Sequence, residues 1–462
     1  MKNAFRPTAR LFALLVSLAM VGLSIACGGG GSSTPPMTTT AGAQSTTFNI
    51  GDDPLNGVLA FEVTINNITL TGSHGTVSVL TDPRKVELSH LAGTFEPLTL
   101  TKIPADSYSQ ISVTFGAAEL LFLPAGITTP MHVDIPPLSA PVNVTLNPPV
   151  TVPQGISSLN FDLNLANSLS VDAANNVTFT PVFTLTNSTV KVGDEDEENG
   201  ELEDIKGMLS SVNGSQFTIT LGASAQTMTF NTDTTTVFDP SGTVLANIPM
   251  GTVLEVDGIT QADGTFLAKK VEIETEDKIG GEAEGLVTQI TGTPATSFQL
   301  VTRESTGAAG MAPDLGTTVT VTLSSNTRFR ADSDDLDLGG MSFTFQSAAD
   351  LAPGQNVEAD ADTGNATSFT ATRVQLKQQA LDGTISGLSG SEFQLTLDPN
   401  STFAKLAGVT SVNVLMGNAE NKTGANLANG QQVRVRGLLF FTVASGTTPA
   451  TYNFVAKRVQ TQ

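Results

Sequence analysis

The sequence predicts an all-β protein, an N-terminal antiparallel β-sandwich followed by three small β-barrels. Three observations predict it. Short runs alternate apolar and polar residues with period two, the signature of half-buried strands. Gly (43) and Pro (23) are frequent between those runs, and no long amphipathic helical pattern interrupts them. From about residue 205 onward one pattern of glycines, phenylalanines and valines recurs three times.

Residues 1–26 have the layout of a targeting segment. Lys2, Arg6 and Arg10 precede an apolar stretch from Leu11 to Ile25, too short for a comfortable membrane span. Ser24-Ile25-Ala26-Cys27 follows, then Gly28-Gly29-Gly30-Gly31. This resembles the lipobox of bacterial lipoproteins, in which the Cys is lipidated and becomes the mature N-terminus. Ser24 stands where that family prefers Leu, and Ser24-x-Ala26 also suits an ordinary signal-peptidase cut. Cys27 is the single Cys of the chain and stands at the cut itself, so lipidation at Cys27 is the expectation. Residues 27–45 then read as a lipidated Cys and a flexible linker. The implied location is the cell envelope, lipid-anchored to the membrane and facing the periplasm or the cell surface.

The second stretch, 46–188, carries the sandwich. Leu59, Phe61, Val63 and Ile65 alternate with polar or small residues, as do Ile111, Val113 and Phe115, then Val142, Val144 and Leu146, then Leu159, Phe161, Leu163 and Leu165. Turn signals at Gly51-Asp52-Asp53-Pro54, Ser73-His74-Gly75, Asp82-Pro83, Pro136-Pro137 and Asn175-Asn176 separate them. Asp52-Asp53-Pro54, the run Ile103-Pro104-Ala105-Asp106-Ser107-Tyr108, and Phe161-Asp162-Leu163 with Phe179-Thr180-Pro181-Val182 resemble the family DUF4382 of bacterial lipoproteins. Asp106 replaces a Gly of the family's tyrosine segment. The resemblance implies a sandwich of the transthyretin or immunoglobulin type and no catalytic residues.

Residues 189–204 are an acidic linker around Asp194-Glu195-Asp196-Glu197-Glu198, a run kept in solvent by its own repulsion. Oxygen ligands are abundant there, but the fixed spacing of an EF-hand loop is missing.

Three repeats follow, at 205–278, 279–379 and 380–462. Gly207, Gly285 and Gly383 open them, Phe217, Phe298 and Phe393 come next, and Ala268, Ala371 and Ala456 close them, each three residues before Val271, Val374 and Val459. The distance from Gly251, Gly354 or Gly430 to the closing Ala is 17, 17 and 26 residues, which marks an insertion near 438–451 in the third copy. A gap of 69 residues between the two glycines of the second copy, against 44 and 47, marks a longer one there. Each copy is expected to be its own small domain. Period two puts the Phe and Val sets inside, whereas the Ala set, on the other parity, faces inward only if the strand bends. The pattern resembles DUF5666, which implies a small OB-like barrel.

Composition narrows the function. The net charge is −22, and removing residues 1–26 takes away three cations and no anions, leaving −25. Such a surface repels phosphate backbones, so no nucleic-acid partner is expected. One Cys and three His leave no Cys-built zinc site and little room for a His-built one. No phosphate loop, His-Glu-x-x-His or Gly-x-Ser-x-Gly elbow occurs, and Trp is absent from any sugar platform. No catalytic residue and no cofactor are expected. His74, His90 and His132 read as surface or packed histidines, with a Ser-His-Asp arrangement left open. The metal candidate is Asp332, Asp334, Asp335 and Asp337, whose spacing suits calcium but lacks a bend-fixing Gly inside the run. The reading is a non-enzymatic envelope lipoprotein of tandem β-domains, contacting the membrane through its N-terminal lipid and an unknown protein or glycan through its loops and edges. The alternatives are a glycan-binding or calcium-dependent adhesion module and, after that, an unrecognised hydrolase.

Overall fold

In the computed structural model the alternating runs are strands, 63% of the described residues against 5% helix. The described residues are 43–462, apart from 54, 93–94, 125–129, 156, 189, 191–200, 222–226, 262–264, 274–280, 308–311, 334–335, 337, 339–342, 362, 445–449 and 462. The expected targeting segment, Cys27, most of the linker and the acidic run therefore lie outside the described residues, as do Asp334, Asp335 and Asp337.

Two sheets form the first domain. One has the order Phe183–Ser188, Ser157–Asn164, Ala43–Asp53, Phe95–Pro104. The other has Gly75–Leu80, Val58–Gly72, Asp106–Phe122 and Met131–Ile135 side by side, with Arg84–Glu87 and Val142–Val152 added to the two long strands. A single core joins them: Phe48, Phe161 and Phe183 from the first sheet meet Phe61 and Phe115 from the second, with Phe179 between. Most neighbours are antiparallel, as the alternation indicates. However, Ala43–Asp53 runs parallel to Ser157–Asn164, and Gly51, Asp52 and Asp53, expected in a turn, are held in the strand by that pairing with Asp162, Leu163 and Asn164. Alternation reports which face is buried and carries no information on a partner more than a hundred residues away. Tyr108 reaches back to donate its hydroxyl to the Pro104 carbonyl at 2.8 Å. Asp106 accepts from Ser73 Oγ and from the backbone N–H of His74, and so holds the Ser73-His74 turn.

The first and third copies are closed five-stranded barrels of identical strand order. In the first, Thr227–Asn231, Gln216–Leu221, Glu201–Asn213, Val253–Thr260 and Phe266–Ile273 are neighbours, and the last pairs parallel with the first. In the third, Ser411–Leu415, Glu392–Leu397, Gln379–Ser389, Gln432–Thr442 and Thr451–Thr461 do the same. Residues 201–204, expected in the linker, already belong to the opening strand. The equivalence extends to single hydrogen bonds. Gly251, Gly354 and Gly430, with φ of 86°, 90° and 87°, donate to the carbonyls of Leu209, Val287 and Ile385. A side chain is strained at those angles, which explains glycine at all three places.

The closing strands settle the open question of the alanines. Lys269 and Lys457 are bulged, so the ladder steps from Asp257–Lys270 to Gly258–Ala268 and from Arg436–Arg458 to Gly437–Ala456. The extra residue reverses parity, and the Ala and Val sets both face inward. Phe217, Phe298, Phe393, Val271, Val374, Val459, Ala268, Ala371 and Ala456 are all buried.

In the second copy the closing strand is broken into Ser368–Thr370 and Arg373–Leu376. The break falls where Ala361 replaces Gly258 and Gly437. A Cβ at those glycines would lie 2.9 Å from the Leu267 carbonyl and 2.1 Å from that of Val455. Alanine cannot hold that register, and of the two pieces Asn356–Ala361 pairs only with the second, so the second barrel, expected closed like the others, is over the described residues an open eight-stranded sheet.

The insertion of the third copy lengthens its last two strands into a hairpin arm. Period two splits its side chains: Leu439 and Phe454 face the third barrel, while Leu438, Phe440 and Val455 enter the core of the second. A smaller apolar contact sets Leu59, Ala60, Leu121 and Leu123 of the first domain against Leu286 and Val301 of the second barrel. Residues 41–462 form one compact unit.

Candidate functional site

The three copies differ most where they carry charge. At one ladder position of each barrel two side chains face each other across neighbouring strands: Lys206 and Glu255 in the first, Glu284 and Glu358 in the second, Asp382 and Arg434 in the third. The first and third pairs are complementary, with Lys206 Nζ 3.3 Å from Glu255 and Arg434 bridging both oxygens of Asp382 at 2.7 and 3.0 Å. The second pair is acid against acid, which is repulsive unless cations come from elsewhere.

They come from the first barrel and from the broken strand. Lys206 lies 2.7 Å from Glu282, 3.6 Å from Glu304 and 3.7 Å from Glu358. Arg373 holds Glu358 at 2.9 Å, Glu272 at 3.0 Å and Asp360 closer still. Arg330 bridges Glu272 and Asp239. Glu282, Glu358 and Asp360 are almost wholly buried. Burial alone would lower the Lys206 ammonium, but Glu282, Glu255, Glu358 and Glu304 outweigh it and hold it well above its ordinary range. Buried ion pairs of this kind return little net stability yet are costly to break singly, so they act as a lock on one docking geometry.

At the edge of this network the first domain and the first two barrels line an open cleft of about 470 Å³. Ile205, Met208, Leu221, Val253, Val86 and Leu98 supply apolar wall, and His90, Glu96, Lys206, Arg303 and Glu304 form a charged patch on it. His90 sits in the short turn Ser89–Leu91, which follows the strand Arg84–Glu87. Its Nδ1 is 3.0 Å from Glu87 Oε2, and its Nε2 is 2.7 Å from Glu96 Oε1 and 3.4 Å from Glu304 Oε1. Glu87 is itself fixed by the backbone N–H groups of Phe61, Ser89 and His90 at 2.7, 3.0 and 3.2 Å. Burial opposes a charged imidazole, but Glu96, Glu87 and Glu304 overcome it and raise His90 well above its usual range. Burial pushes the Glu304 carboxyl up to about 7; Lys206 pulls it down and Glu96 raises it further.

His74 lies in a turn, His90 after a strand and His132 in a strand. Ser73, His74 and Asp106 do come together, but in the wrong order for a nucleophile. The Ser73 hydroxyl donates to Asp106 at 2.5 Å, and the His74 ring, 80% exposed, stands beside both on an open turn. His132 lies on the surface near Glu119 and Asp134. Asp332 pairs with Lys377 at 2.9 Å and lies 3.9 Å from Lys270. Its partners in the calcium candidate lie outside the described residues. The group missed by sequence reading is Glu87, Glu96 and Glu304 around His90. The spacing of Glu87 and His90 was visible, but Glu304 is 214 residues from His90 and only the fold unites them.

Residues 45–181 match the family described as "Domain of unknown function (DUF4382)", and residues 206–272 and 284–375 match "Domain of unknown function (DUF5666)". No curated protein matches the chain. Among solved structures, a multidomain protein with nucleic acid binding domains from Streptococcus pneumoniae aligns over 55% of this chain and 72% of that one, at 11% identity and a TM-score of 0.10. The third barrel, outside the matched residues, repeats the strand order of the first. The chain thus carries one region that matches DUF4382 followed by two that match DUF5666, in the order the sequence resemblance gives.

Proposed function

We propose that this chain is a non-catalytic envelope lipoprotein, a joined body of β-domains held at a membrane by a lipid on Cys27 and presenting its loops and edges to a protein or glycan partner. The observation that carries the reading is the use made of charge. Lys206, Arg330, Arg373 and Lys377, with Glu255, Glu272, Glu282, Glu358 and Asp360, are spent on locking barrel to barrel. Side chains committed in this way build a scaffold of fixed geometry, which suits display or spacing more than turnover. The acidic surface supports a partner other than nucleic acid. The targeting segment and the single Cys at its end support the anchor, whose stable attachment takes two or more acyl chains.

Fractionation of cells expressing the full chain tests the anchor. Wild type partitions with membranes and Cys27→Ser with the soluble fraction; equal partitioning of the two refutes it. A glycan array with and without calcium, together with a broad hydrolase screen, tests the rest. Turnover of any substrate in the screen would replace the scaffold reading with an enzymatic one.

A further inference from the structure

We propose that His90, Glu96 and Glu304 form a binding site for a divalent transition-metal ion, zinc foremost, which pins the first domain to the second barrel. The inference goes beyond the scaffold reading and does not depend on the lipid anchor.

The ligand set is one imidazole nitrogen and two carboxylates, with ligand atoms all within 4.8 Å of one another. Tetrahedral zinc with bonds of about 2.0–2.2 Å places its ligand atoms about 3.3–3.5 Å apart. The 3.4 Å between His90 Nε2 and Glu304 Oε1 already equals that edge, and the 2.7 Å to Glu96 Oε1 needs to open by about half an ångström. Three donors leave a fourth position, and the 470 Å³ cleft lies against them to supply water or a small ligand.

A second, independent feature points the same way. A histidine that ligates through one nitrogen almost always gives its other N–H to a carboxylate or carbonyl, which sets the tautomer and the ring plane. Glu87 does this for Nδ1 at 3.0 Å, and three backbone N–H groups hold Glu87 in place. Without metal, Glu87 and Glu96 accept from the two N–H groups of an imidazolium, so the ion enters by displacing the Nε2 proton to solvent while Glu87 keeps its hold on Nδ1. Glu284, the acid that faces Glu358 on the neighbouring strand, adds negative potential at Glu304 and offsets part of the positive charge of Lys206 and Arg303 beside the site. Lys206 approaches Glu304 through Oε2, 3.6 Å away, and leaves Oε1 toward His90. Calcium is the wrong ion for this set, because it takes six to eight oxygens and not an imidazole.

The test uses the full chain, stripped with a chelator and titrated with Co²⁺ as a spectroscopic stand-in, then with Zn²⁺ in competition. The expected result is one equivalent of Co²⁺ giving visible d–d bands, displaced by Zn²⁺, with affinity lowered at least 100-fold in Glu304→Gln and in His90→Asn. Glu87→Gln tests the positioning role and should weaken binding about 10–100-fold without abolishing the bands. Circular dichroism of each variant identifies those that fold, and Glu96→Gln replaces any that does not. The proposal is overturned if no d–d bands appear at millimolar Co²⁺, or if folded Glu304→Gln and Glu96→Gln bind as wild type does. Soluble behaviour of Cys27→Ser would sustain the anchor whatever the metal result.

Discussion

Replacing Phe298 by alanine tests how far the barrels are one body. Phe298 is 1% exposed in the core of the second barrel, in company with Leu300, Val319, Val321, Phe345 and Val374. Cutting a buried Phe to Ala costs about 3–5 kcal/mol, the lost transfer energy plus the cavity left behind. That approaches the whole stability of a small domain, about 5 kcal/mol at the low end. Native-state hydrogen exchange on the full chain reads it. Amides of Ser297–Gly307 and Thr318–Thr322 should exchange about 10²–10⁴-fold faster, since each tenfold is about 1.4 kcal/mol. The same core holds Leu438, Phe440 and Val455, so the arm of the third copy should lose protection with it. The first barrel, whose core of Phe217, Met228, Phe230 and Val256 is separate, should keep its own. An arm that stays protected while the second barrel opens would refute the shared core. A variant as stable as wild type would refute the burial of Phe298 itself.

Other outcomes follow from other parts of the molecule. Arg373→Met takes the guanidinium from buried Asp360 and leaves Glu358 to Lys206 and Glu272 to Arg330, and should cost about 3–5 kcal/mol, seen as a lower midpoint in denaturant; an unchanged midpoint would mean those remaining cations or water already compensate the acids. Burial raises the Asp106 carboxyl, but hydrogen bonds from Ser73, the His74 and Ser107 amides and the His74 ring outweigh it and bring it to about 2. A pKa below the unfolded value of about 3.9 means that its contribution is present above that pH and is lost as pH falls through about 2. Asp106→Asn should therefore lower stability at pH 5 and leave it nearer to wild type at pH 2, and a constant difference across that range would refute it. Proteolysis should cut first in the acidic run at 193–200. The nicked halves should still co-elute on gel filtration, because Leu59 and Leu121 pack against Leu286 and Val301; separation would show that this contact is too weak to hold them.

Strands, turns and repeats were legible in the sequence because each is local. Phe61, Val63 and Ile65 lie inside the sandwich because period two carries them to one face, whereas Leu59, which opens the same run, lies on the far side of a register shift and packs against Leu286 and Val301 instead. Gly251, Gly354 and Gly430 mark one turn in three places because a positive φ there admits little else. What the sequence left open was decided by partners far along the chain. The alanines face inward because Lys269 and Lys457 bulge against particular facing residues. The second closing strand breaks because Ala361 meets a backbone that tolerates only glycine at that register. The hairpin arm reads as a mere insertion until its alternate side chains are seen to serve two cores. Glu87, His90, Glu96 and Glu304 become a site for the same reason. Alternation records which face of a strand is hidden, but a charged group becomes chemistry only through the groups that tertiary packing sets within a few ångströms of it, where water no longer screens them.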